Sequence, residues 1–316
     1  MSRPWRAWRA AHVAAAPLAL ALLLPPALAL AQAASAAEEP ETLQTCKLYE
    51  TADGVTELLH PKSFADEAEC AGCKPVTGKE KNRPEFATGP PDKKSFSMGS
   101  GGGLIVRFTD NALVNGPGED LIIFEIGRAQ EPTDVSVRIE GDRNWIPAGT
   151  AGGGRRSLNL PGAVGPDEVV REVRLRDRNS PHSPPEGADI DAVAAIGFSW
   201  VETLDAGRTL FDFGDASLTD TARARLDAIA EQFDYADVDV LIFGHADRRG
   251  TETYNQDLSE QRAAAVERYL ADRLRALGKA PTSMRSRGLG ERALTGQGHR
   301  LDRRVEVFLT PTVCAG

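Results

Sequence analysis

The chain has 316 residues and a formal net charge of −9, and it contains 30 glycines, 20 prolines and four cysteines. An acidic chain of this kind repels phosphate backbones and anionic lipid surfaces, which argues against nucleic acid as its partner. Without an N-terminal leader, the length corresponds to about two domains of ~150 residues each.

Residues 1–33 have the three-part layout of a secretory signal peptide. Three arginines precede an apolar segment, and Ala31-Gln32-Ala33 provides a small-residue cleavage site. Removal of these three arginines changes the formal charge from −9 to −12. The alternative is an uncleaved anchor, because the apolar segment would nearly span a bilayer if Pro25 and Pro26 were tolerated inside it. We expect cleavage and export.

Between residues 43 and 200, short apolar runs alternate with turns rich in glycine and proline. Val135, Val137 and Ile139 alternate with polar residues, which is typical of a strand with one buried face. Several such strands at regular spacing predict an all-β sandwich with a jelly-roll-like arrangement. The runs are GGLIVRFTD, DLIIFEIG, DVSVRIEG, VVREVRLRD and DAVAAIGFSW.

After residue 200 the apolar spacing changes to that of helices placed between strands. Residues 217–233 form the first predicted helix, with Ser217 or Thr219 as its N-cap. A buried strand is predicted at 238–244 and a second helix at 258–277, and two strands follow in SMRSRGLGE and RRVEVFLTP. The resulting βαβαββ order predicts an α/β domain.

Asp247 and Arg262 carry opposite charges on neighbouring segments of this α/β domain. Asp247 follows the strand 238–244 at its C-terminal end, where open α/β sheets place their ligands, and Arg262 is expected one turn into the next helix. A carboxylate and a guanidinium held apart suit a zwitterion, whose two charges they would bind with about 1.5–3 kcal/mol each. The alternative is a solvated Asp247 and an ion pair of Arg262 with Glu260 or Glu267.

Five segments of this domain carry a family resemblance: LFDFGDASL, GHAD, GTETYNQDLSEQRAAAV, RGLGE and DRRVEVF. Through them, residues 208–309 resemble the C-terminal peptidoglycan-binding domain of the OmpA family. The resemblance implies a non-enzymatic βαβαββ module in which an Asp and an Arg hold the α-amino acid end of diaminopimelate in the peptidoglycan stem peptide. Asp247 matches the Asp of the family's GH-x-D motif, and Arg262 matches the Arg of its LS-x-x-RA motif.

Three further residues match the family's pocket less specifically. Asp212, Asn255 and Arg304 resemble residues that line or brace the pocket in relatives, and the alternative for each is a structural hydrogen bond or cap. Asp302 departs from the family, which often has Asn at that position. We expect its extra carboxylate to pair with Arg303 or Arg304 and to weaken the binding of a ligand carboxylate.

The sandwich half carries a second resemblance, through TGPPDKKSFSMGSGGGLIVRF, NGPGEDLIIFEIG and GADIDAVAAIGF. Residues 86–198 are similar to a galactose-binding-like β-sandwich of bacterial cell-surface proteins. That fold is used for sugar binding, protein binding and purely structural roles. It therefore implies a second binding or structural module, with an envelope protein or a glycan as the candidate partner.

Asp189 and Asp191 flank a single residue of a predicted strand, so their carboxylates are expected on the same side. With Asp120 or Glu125 they would offer oxygen ligands to Ca²⁺, and no other cofactor is expected. The alternative is a solvated strand end with turn-forming aspartates.

The four cysteines, the last of which is Cys314, are expected to form structural disulfides in an oxidising compartment, with all three pairings open. Cys70-Ala-Gly-Cys73 also has the spacing of redox and metal motifs, and Cys46 with His60 could complete a zinc set. The rival function is therefore a periplasmic enzyme, a hydrolase or a thiol-redox protein, tethered to the cell wall by its C-terminal domain.

The sequence favours a non-enzymatic envelope protein with a signal peptide (1–33), a β-sandwich (43–200) and an OmpA-like domain (208–309). It is expected in the periplasm, in association with the cell wall and the outer membrane, where it would bind peptidoglycan non-covalently through diaminopimelate. His245 is expected to pack rather than to catalyse, because no serine or cysteine nucleophile accompanies it.

Overall fold

The structure is a computed structural model that describes residues 42–43, 45–74, 76, 83–126, 131–178, 187–205, 210–211 and 214–312. The predicted signal peptide, Asp212 and Cys314 lie outside the described residues. Among the helices that the structure describes, none combines the length and the apolar composition needed to cross a membrane.

The N-terminal half is built from antiparallel strands, as the sequence predicts. Val135, Val137 and Ile139 are buried, while the residues between them are half-buried or exposed, so the alternation defines one inner face. Two short 3-10 helices, Pro61–Ser63 and Pro84–Ala87, connect strands. The strands are β1 (Lys47–Glu50), β2 (Thr56–Leu59), β3 (Glu67–Cys70), β4 (Phe96–Ser97), β5 (Gly103–Arg107), β6 (Asn111–Leu113), β7 (Leu121–Glu125), β8 (Thr133–Ile139), β9 (Ile146–Ala151), β10 (Arg155–Leu158), β11 (Val170–Asp177) and β12 (Asp189–Ala195).

These strands form two main sheets whose inner side chains share one core. One sheet has the order β10-β7-β12-β4, and the other contains β3, β5, β11, β8 and β9. Ile123 of β7 and Val193 of β12 belong to the same buried cluster as Val137 of β8 and Val173 of β11. The two sheets therefore hold each other by burying a common apolar layer.

The C-terminal half places helices between strands. Thr219 caps the first helix, since its hydroxyl accepts a hydrogen bond from the Ala222 N–H at 3.1 Å. The strand order is β15-β14-β16-β13, in which β14 and β15 are parallel and the other pairs are antiparallel. The elements are β13 (Phe198–Asp205), α1 (Asp220–Gln232), β14 (Val238–Gly244), α2 (Glu252–Ala276), β15 (Ser283–Gly288), α3 (His299–Asp302) and β16 (Arg304–Pro311).

Helix α2 begins six residues earlier than the predicted start at residue 258. Thr251 caps it, because its hydroxyl accepts a hydrogen bond from the Tyr254 N–H at 3.2 Å. The connection from β14 is therefore short, and Arg262 lies in the third turn of the helix rather than in the first. The predicted end is close to the observed one, since Gly278 follows the helix with a φ of 70°.

Strand β13 joins the two halves through backbone hydrogen bonds. Trp200 pairs with Asn111 of β6 on one side and with Leu309 of β16 on the other. The sheet consequently runs without interruption from the N-terminal strands into the C-terminal ones, and residues 41–316 form one compact unit. The predicted end of the β-sandwich at residue 200 falls within this shared strand. The predicted start of the OmpA-like domain at residue 208 falls just after it.

We expect Trp200→Ala to destabilise both halves together. The Trp200 ring contacts His60 at 5.7 Å and Phe233 at 5.4 Å between centroids, so its removal leaves a cavity that both halves line. The expected loss is about 3–5 kcal/mol in the free energy of unfolding, measured by urea denaturation. Trp145→Ala is the control, because Trp145 is only half-buried. Separate unfolding transitions for the two halves of the wild type would contradict this account.

Candidate ligand-binding site at the end of strand β14

Two glycines allow helix α2 to lie directly against β14 and β15. A Cβ atom on Gly244 would lie 2.1 Å from the Ser259 carbonyl oxygen, and one on Gly288 would lie 2.4 Å from the Glu260 nitrogen. Both contacts are too close for any side chain. The Ser259 hydroxyl also accepts a hydrogen bond from the Gly290 N–H at 2.9 Å. The ends of both parallel strands and the middle of α2 therefore meet at one place.

Asp247 lies in the loop after β14, with only 4% of its surface exposed. Its carboxylate accepts hydrogen bonds from the Arg249 backbone at 2.9 Å and from the Arg249 guanidinium at 2.8 Å. The Arg303 guanidinium bonds to it as well. Burial by itself would raise the pKa of Asp247, but the hydrogen bonds from Arg249 and Arg303 outweigh burial and lower the pKa to about 2. Asp247 is therefore a carboxylate at neutral pH.

Arg262 lies on the inner side of α2 and is also 4% exposed. Its Nε donates to the Asp215 carbonyl oxygen at 3.0 Å, and its guanidinium lies over the Phe211 ring at 5.0 Å from the centroid. Within the described residues this is the one hydrogen bond of the Arg262 side chain, so the two Nη groups keep their hydrogen-bonding capacity. Burial lowers the pKa of Arg262, yet an arginine remains charged near neutral pH.

The two charges are near neighbours without a direct bond between them. Asp247 is one of the charges that act on Arg262, and Arg303 is another. Neither Glu260 nor Glu267 pairs with Arg262 in the described residues, since their carboxylates accept hydrogen bonds from Gln256 and Ser286. The structure differs from the sequence expectation in one respect: Asp247 already has two guanidinium partners.

Asn255 braces the loop that carries Asp247. Its buried side-chain amide donates to the Asp247 carbonyl oxygen at 2.9 Å and to the Glu291 carboxylate at 2.7 Å. It thereby connects the loop after β14 to the loop after β15. The part of Asn255 in ligand binding that the family resemblance implies stays a prediction.

Arg303 and Arg304 point to different surroundings, because neighbouring residues in extended chain face opposite sides. Arg303 bonds to Asp247, whereas Arg304 pairs with Glu140 at 3.1 Å and with Glu306 at 3.2 Å. The expectation that Asp302 pairs with one of these arginines is wrong. Its carboxylate instead accepts hydrogen bonds from the backbone and the hydroxyl of Thr295.

A buried ion network lies on the Arg304 side of the sheet. The Glu306 carboxylate lies 2.8 Å from Arg171 and 2.9 Å from the His245 imidazole. Burial would raise the pKa of Glu306, but Arg171 and Arg304 hold it well below its usual range. Burial also lowers the pKa of His245, which leaves the ring neutral at pH 7. The His245 ring is buried beside this network.

Three atoms of this network could in principle hold a metal ion. Ligand atoms of Glu140, His245 and Glu306 lie within 4.8 Å of one another. However, Arg304 pairs with both glutamates and Arg171 pairs with Glu306, so positive charge already balances the two carboxylates. A cation would be repelled by these guanidiniums, and we assign the group to a structural ion network.

A cavity of ≈ 710 Å³ lies between the two halves and is lined by residues from each. Arg303 and Arg304 line it from the C-terminal half, and Arg138 and Glu140 line it from the sandwich. Asp247 borders it only through its bond to Arg303. Arg262 does not line this cavity, so it is not a common pocket for the two predicted site residues.

The aspartates predicted to bind calcium accept hydrogen bonds from different segments of the chain. Asp191 accepts backbone hydrogen bonds from residues 92 and 93, and Asp120 accepts them from Gly116 and Leu160. Asp189 accepts a hydrogen bond from Ser97 of β4. The β12 strand contains an irregularity between residues 190 and 192, which disturbs the alternation on which the prediction relied.

The cysteines follow the disulfide expectation where the structure describes them. Cys70 and Cys73 form a disulfide at the end of β3, and Cys46 is also disulfide-bonded. His60 is buried, and its ring nitrogens bond to the Thr42 carbonyl oxygen and to the Lys62 N–H. These contacts occupy the imidazole that the zinc alternative requires.

Sequence reasoning missed Arg249 and treated Arg303 only as a partner of Asp302. The signal for Arg249 was local, since an Asp side chain often accepts the N–H two residues further on and thereby orders the intervening loop. Arg303 is 56 residues from Asp247, and only the pairing of β14 with β16 brings them together.

The C-terminal half is thus an α/β domain with two buried opposite charges beside the end of a central strand, fused to a β-sandwich. Residues 210–295 match the model of the OmpA family. This match confirms the resemblance and identifies an OmpA-family domain in that segment.

Curated relatives are similar to a part of the chain. Outer membrane protein A of Bordetella avium is 36% identical over 105 residues, which are 31% of this chain and 52% of that protein. Outer membrane protein A of Klebsiella aerogenes is 29% identical over 170 residues, which are 50% of this chain and 42% of that protein. The chain therefore spans about half, or less, of the length of these relatives.

Solved structures resemble about a third of the chain. A peptidoglycan-associated lipoprotein from Burkholderia pseudomallei is 28% identical, covers 34% of this chain and 89% of its own, and gives a TM-score of 0.28. The cell wall anchor of the T6SS from Pseudomonas aeruginosa is 29% identical, covers 36% and 82%, and gives a TM-score of 0.29.

We expect Asp247→Asn to destabilise the protein at neutral pH. The native pKa of about 2 lies below the usual ~3.9, so the carboxylate contributes stability above pH ~4 that is lost as the pH falls through about 2. The variant should lose about 1–3 kcal/mol at pH 7 in urea denaturation, and the loss should shrink between pH ~4 and ~2. Asp257→Asn, on the exposed side of α2, is the control. A loss that is independent of pH would contradict the assignment.

Proposed function

We propose that the protein is a non-enzymatic envelope protein whose C-terminal domain binds peptidoglycan through the free α-amino acid end of diaminopimelate. Asp247 and Arg262 are the binding residues, Asn255 braces the loop between them, and Asp212 is a further pocket residue. The observation that carries the proposal is a pair of buried, opposite charges that do not bond to each other, in an OmpA-family segment.

The available donors of Arg262 suit the carboxylate of the ligand. Its Nε is held by the Asp215 carbonyl and its plane by the Phe211 ring, so the guanidinium is oriented before the ligand arrives. A carboxylate that binds two Nη groups in parallel gains both charge and direction. Tyr254 is half-exposed and acts on Arg262, which places a ring at the edge of the site.

The ligand ammonium would bind Asp247 in exchange for Arg249. The Arg249 side chain is 60% exposed, whereas Arg303 is 26% exposed, so Arg249 is the partner that moves at lower cost. Solvent screens the attraction of the exposed Arg249 guanidinium for Asp247 more than that of the less exposed Arg303. The ligand would thus replace the more exposed of the two guanidinium partners, while Arg303 continues to orient the carboxylate.

We expect Arg262→Ala and Asp247→Ala to abolish retention on peptidoglycan that contains diaminopimelate. Each variant removes a charge-assisted bond of about 1.5–3 kcal/mol, a loss of roughly 10- to 100-fold in affinity. The measurement is co-sedimentation with purified sacculi, together with calorimetry against free diaminopimelate. Arg268→Ala is the matched control, because Arg268 is exposed on the same helix. Sacculi with lysine in place of diaminopimelate should retain little of the wild-type protein. Unchanged retention of the Arg262→Ala variant on sacculi with diaminopimelate would refute the proposal.

Arg249→Ala should bind diaminopimelate more tightly than the wild type. Removal of Arg249 takes away a competitor for Asp247 without touching Arg262 or Arg303. The expected gain is about 2- to 5-fold, the equivalent of roughly 0.4–1 kcal/mol. Calorimetry measures it directly. Weaker binding would show that Arg249 contacts the ligand itself.

We further propose that the N-terminal half is a jelly-roll-like β-sandwich that serves as a second binding or structural module, with β13 as the first strand of the βαβαββ unit. Export to the periplasm, with attachment to the cell wall and proximity to the outer membrane, follows from the proposed ligand. The acidic composition and the OmpA-family segment both fit this location.

A further inference from the structure

A tight turn at the end of β3 carries the disulfide between Cys70 and Cys73. Gly72, inside the turn, has a φ of 83°, a conformation that glycine adopts without strain. The Cα atoms of the two cysteines lie 5.5 Å apart across the turn, which is within the range that a disulfide requires.

Backbone hydrogen bonds hold this turn at both ends. The Ala71 N–H donates to the Gly103 carbonyl oxygen at 2.9 Å, and the Lys74 N–H donates to the Met98 carbonyl oxygen at 3.0 Å. Both bonds can remain when the disulfide is broken. The disulfide also joins cysteines only three positions apart, and a bond that closes so small a loop removes little entropy from the unfolded chain. The fold therefore depends little on this bond.

The two sulfur atoms differ in exposure. Cys70 is exposed, whereas Cys73 is half-buried and packs against the main core cluster. In thiol–disulfide exchange, access helps to decide which sulfur is attacked. A thiolate from another molecule can therefore reach the Cys70 Sγ atom more readily than the Cys73 Sγ atom.

Each sulfur also has a neighbour that suits the reduced form. The Cys73 N–H donates to the Cys70 Sγ atom at 3.0 Å. A thiolate gains more from such an N–H than a disulfide sulfur does, because the thiolate carries a negative charge. The Cys73 Sγ atom lies 3.0 Å from the Gly103 carbonyl oxygen, and only a thiol has a hydrogen to donate to that oxygen. Reduction thus strengthens one hydrogen bond and adds another.

We propose that Cys70 and Cys73 form a thiol–disulfide exchange site that accepts two electrons from a dithiol. Stabilisation of the reduced form makes a disulfide easier to reduce, and both sulfur neighbours act in that direction. A dithiol suits the site because its second thiol attacks within the mixed disulfide and needs no second encounter. This activity goes beyond the proposed binding of peptidoglycan, in which neither cysteine takes part.

The exchange proceeds in two balanced steps. A thiolate of the dithiol attacks the exposed Cys70 Sγ atom and forms a mixed disulfide, while the bond to Cys73 breaks and Cys73 leaves as a thiolate that takes up a proton from water. The second thiolate of the dithiol then attacks the dithiol's own sulfur in the mixed disulfide and releases Cys70 as a thiolate. The two electrons end on the two cysteines, and the dithiol becomes a disulfide.

The first test uses the oxidised full chain under native conditions, with dithiothreitol as the dithiol. Samples are quenched with iodoacetamide at intervals, and the alkylated cysteines are identified by mass spectrometry. We expect the Cys70–Cys73 bond to be reduced at least about tenfold faster than the bond of Cys46, which joins Cys46 to a cysteine outside this turn and is the internal reference. Selective reduction should lower the melting temperature by less than about 3 °C, because the turn keeps its backbone hydrogen bonds.

Two single variants separate the roles of the two sulfurs. Cys73→Ser keeps the exposed Cys70 together with the backbone N–H of position 73, whereas Cys70→Ser keeps only the half-buried Cys73. At pH ~7 we expect iodoacetamide to react with Cys70 in the first variant at least about tenfold faster than with Cys73 in the second. Equal or reversed rates would contradict the assignment of Cys70 as the sulfur that partners reach.

The wild-type protein can overturn the proposal without any variant. A Cys70–Cys73 bond that dithiothreitol reduces only after urea is added, or no faster than the bond of Cys46, would show a structural disulfide. A fall of more than about 3 °C in the melting temperature on selective reduction would show that the fold depends on the bond.

Discussion

The backbone hydrogen bonds of β13 are the constraint on which the rest of the structure depends. Residues of this strand pair with β6 at its beginning and with β16 along most of its length. A strand that lies between two others cannot leave either one without exposing N–H and C=O groups that need partners. The sandwich and the helical half therefore share one sheet and one continuous apolar core.

Buried charges reinforce the same junction. The Arg171 guanidinium donates to Glu306 of β16 and to backbone carbonyls near the end of β5, so one side chain spans both halves. Loss of one partner would leave a charge buried and unpaired, which costs far more than an exposed ion pair. Because β16 is fixed in this way, the position of Arg303, the residue immediately before the strand, is also constrained. The orientation of Asp247 thus depends on contacts that the sandwich provides.

In the proposed binding site, Arg262 is oriented with donors available for a ligand, whereas Asp247 already has partners. Arg262 is oriented by a carbonyl and an aromatic ring, with its outer nitrogens available. Asp247 is satisfied by Arg249 and Arg303, which avoids the cost of an unpaired buried carboxylate in the free protein. An exchangeable arginine partner keeps such a site stable without ligand and still able to bind one. It also makes the affinity for the ligand depend on Arg249, in addition to Asp247 and Arg262.

The sequence by itself determined the element types, an N-cap at Ser217 or Thr219, the strand before Asp247 and the family of residues 210–295, because these depend on local periodicity, capping and short motifs. It could not determine that β13 belongs to both halves, or that Arg303 meets Asp247 while Arg304 faces Glu140. Each of these depends on which strands pair and in what register. A shift of one residue reverses the face of every side chain, and no local pattern records that choice.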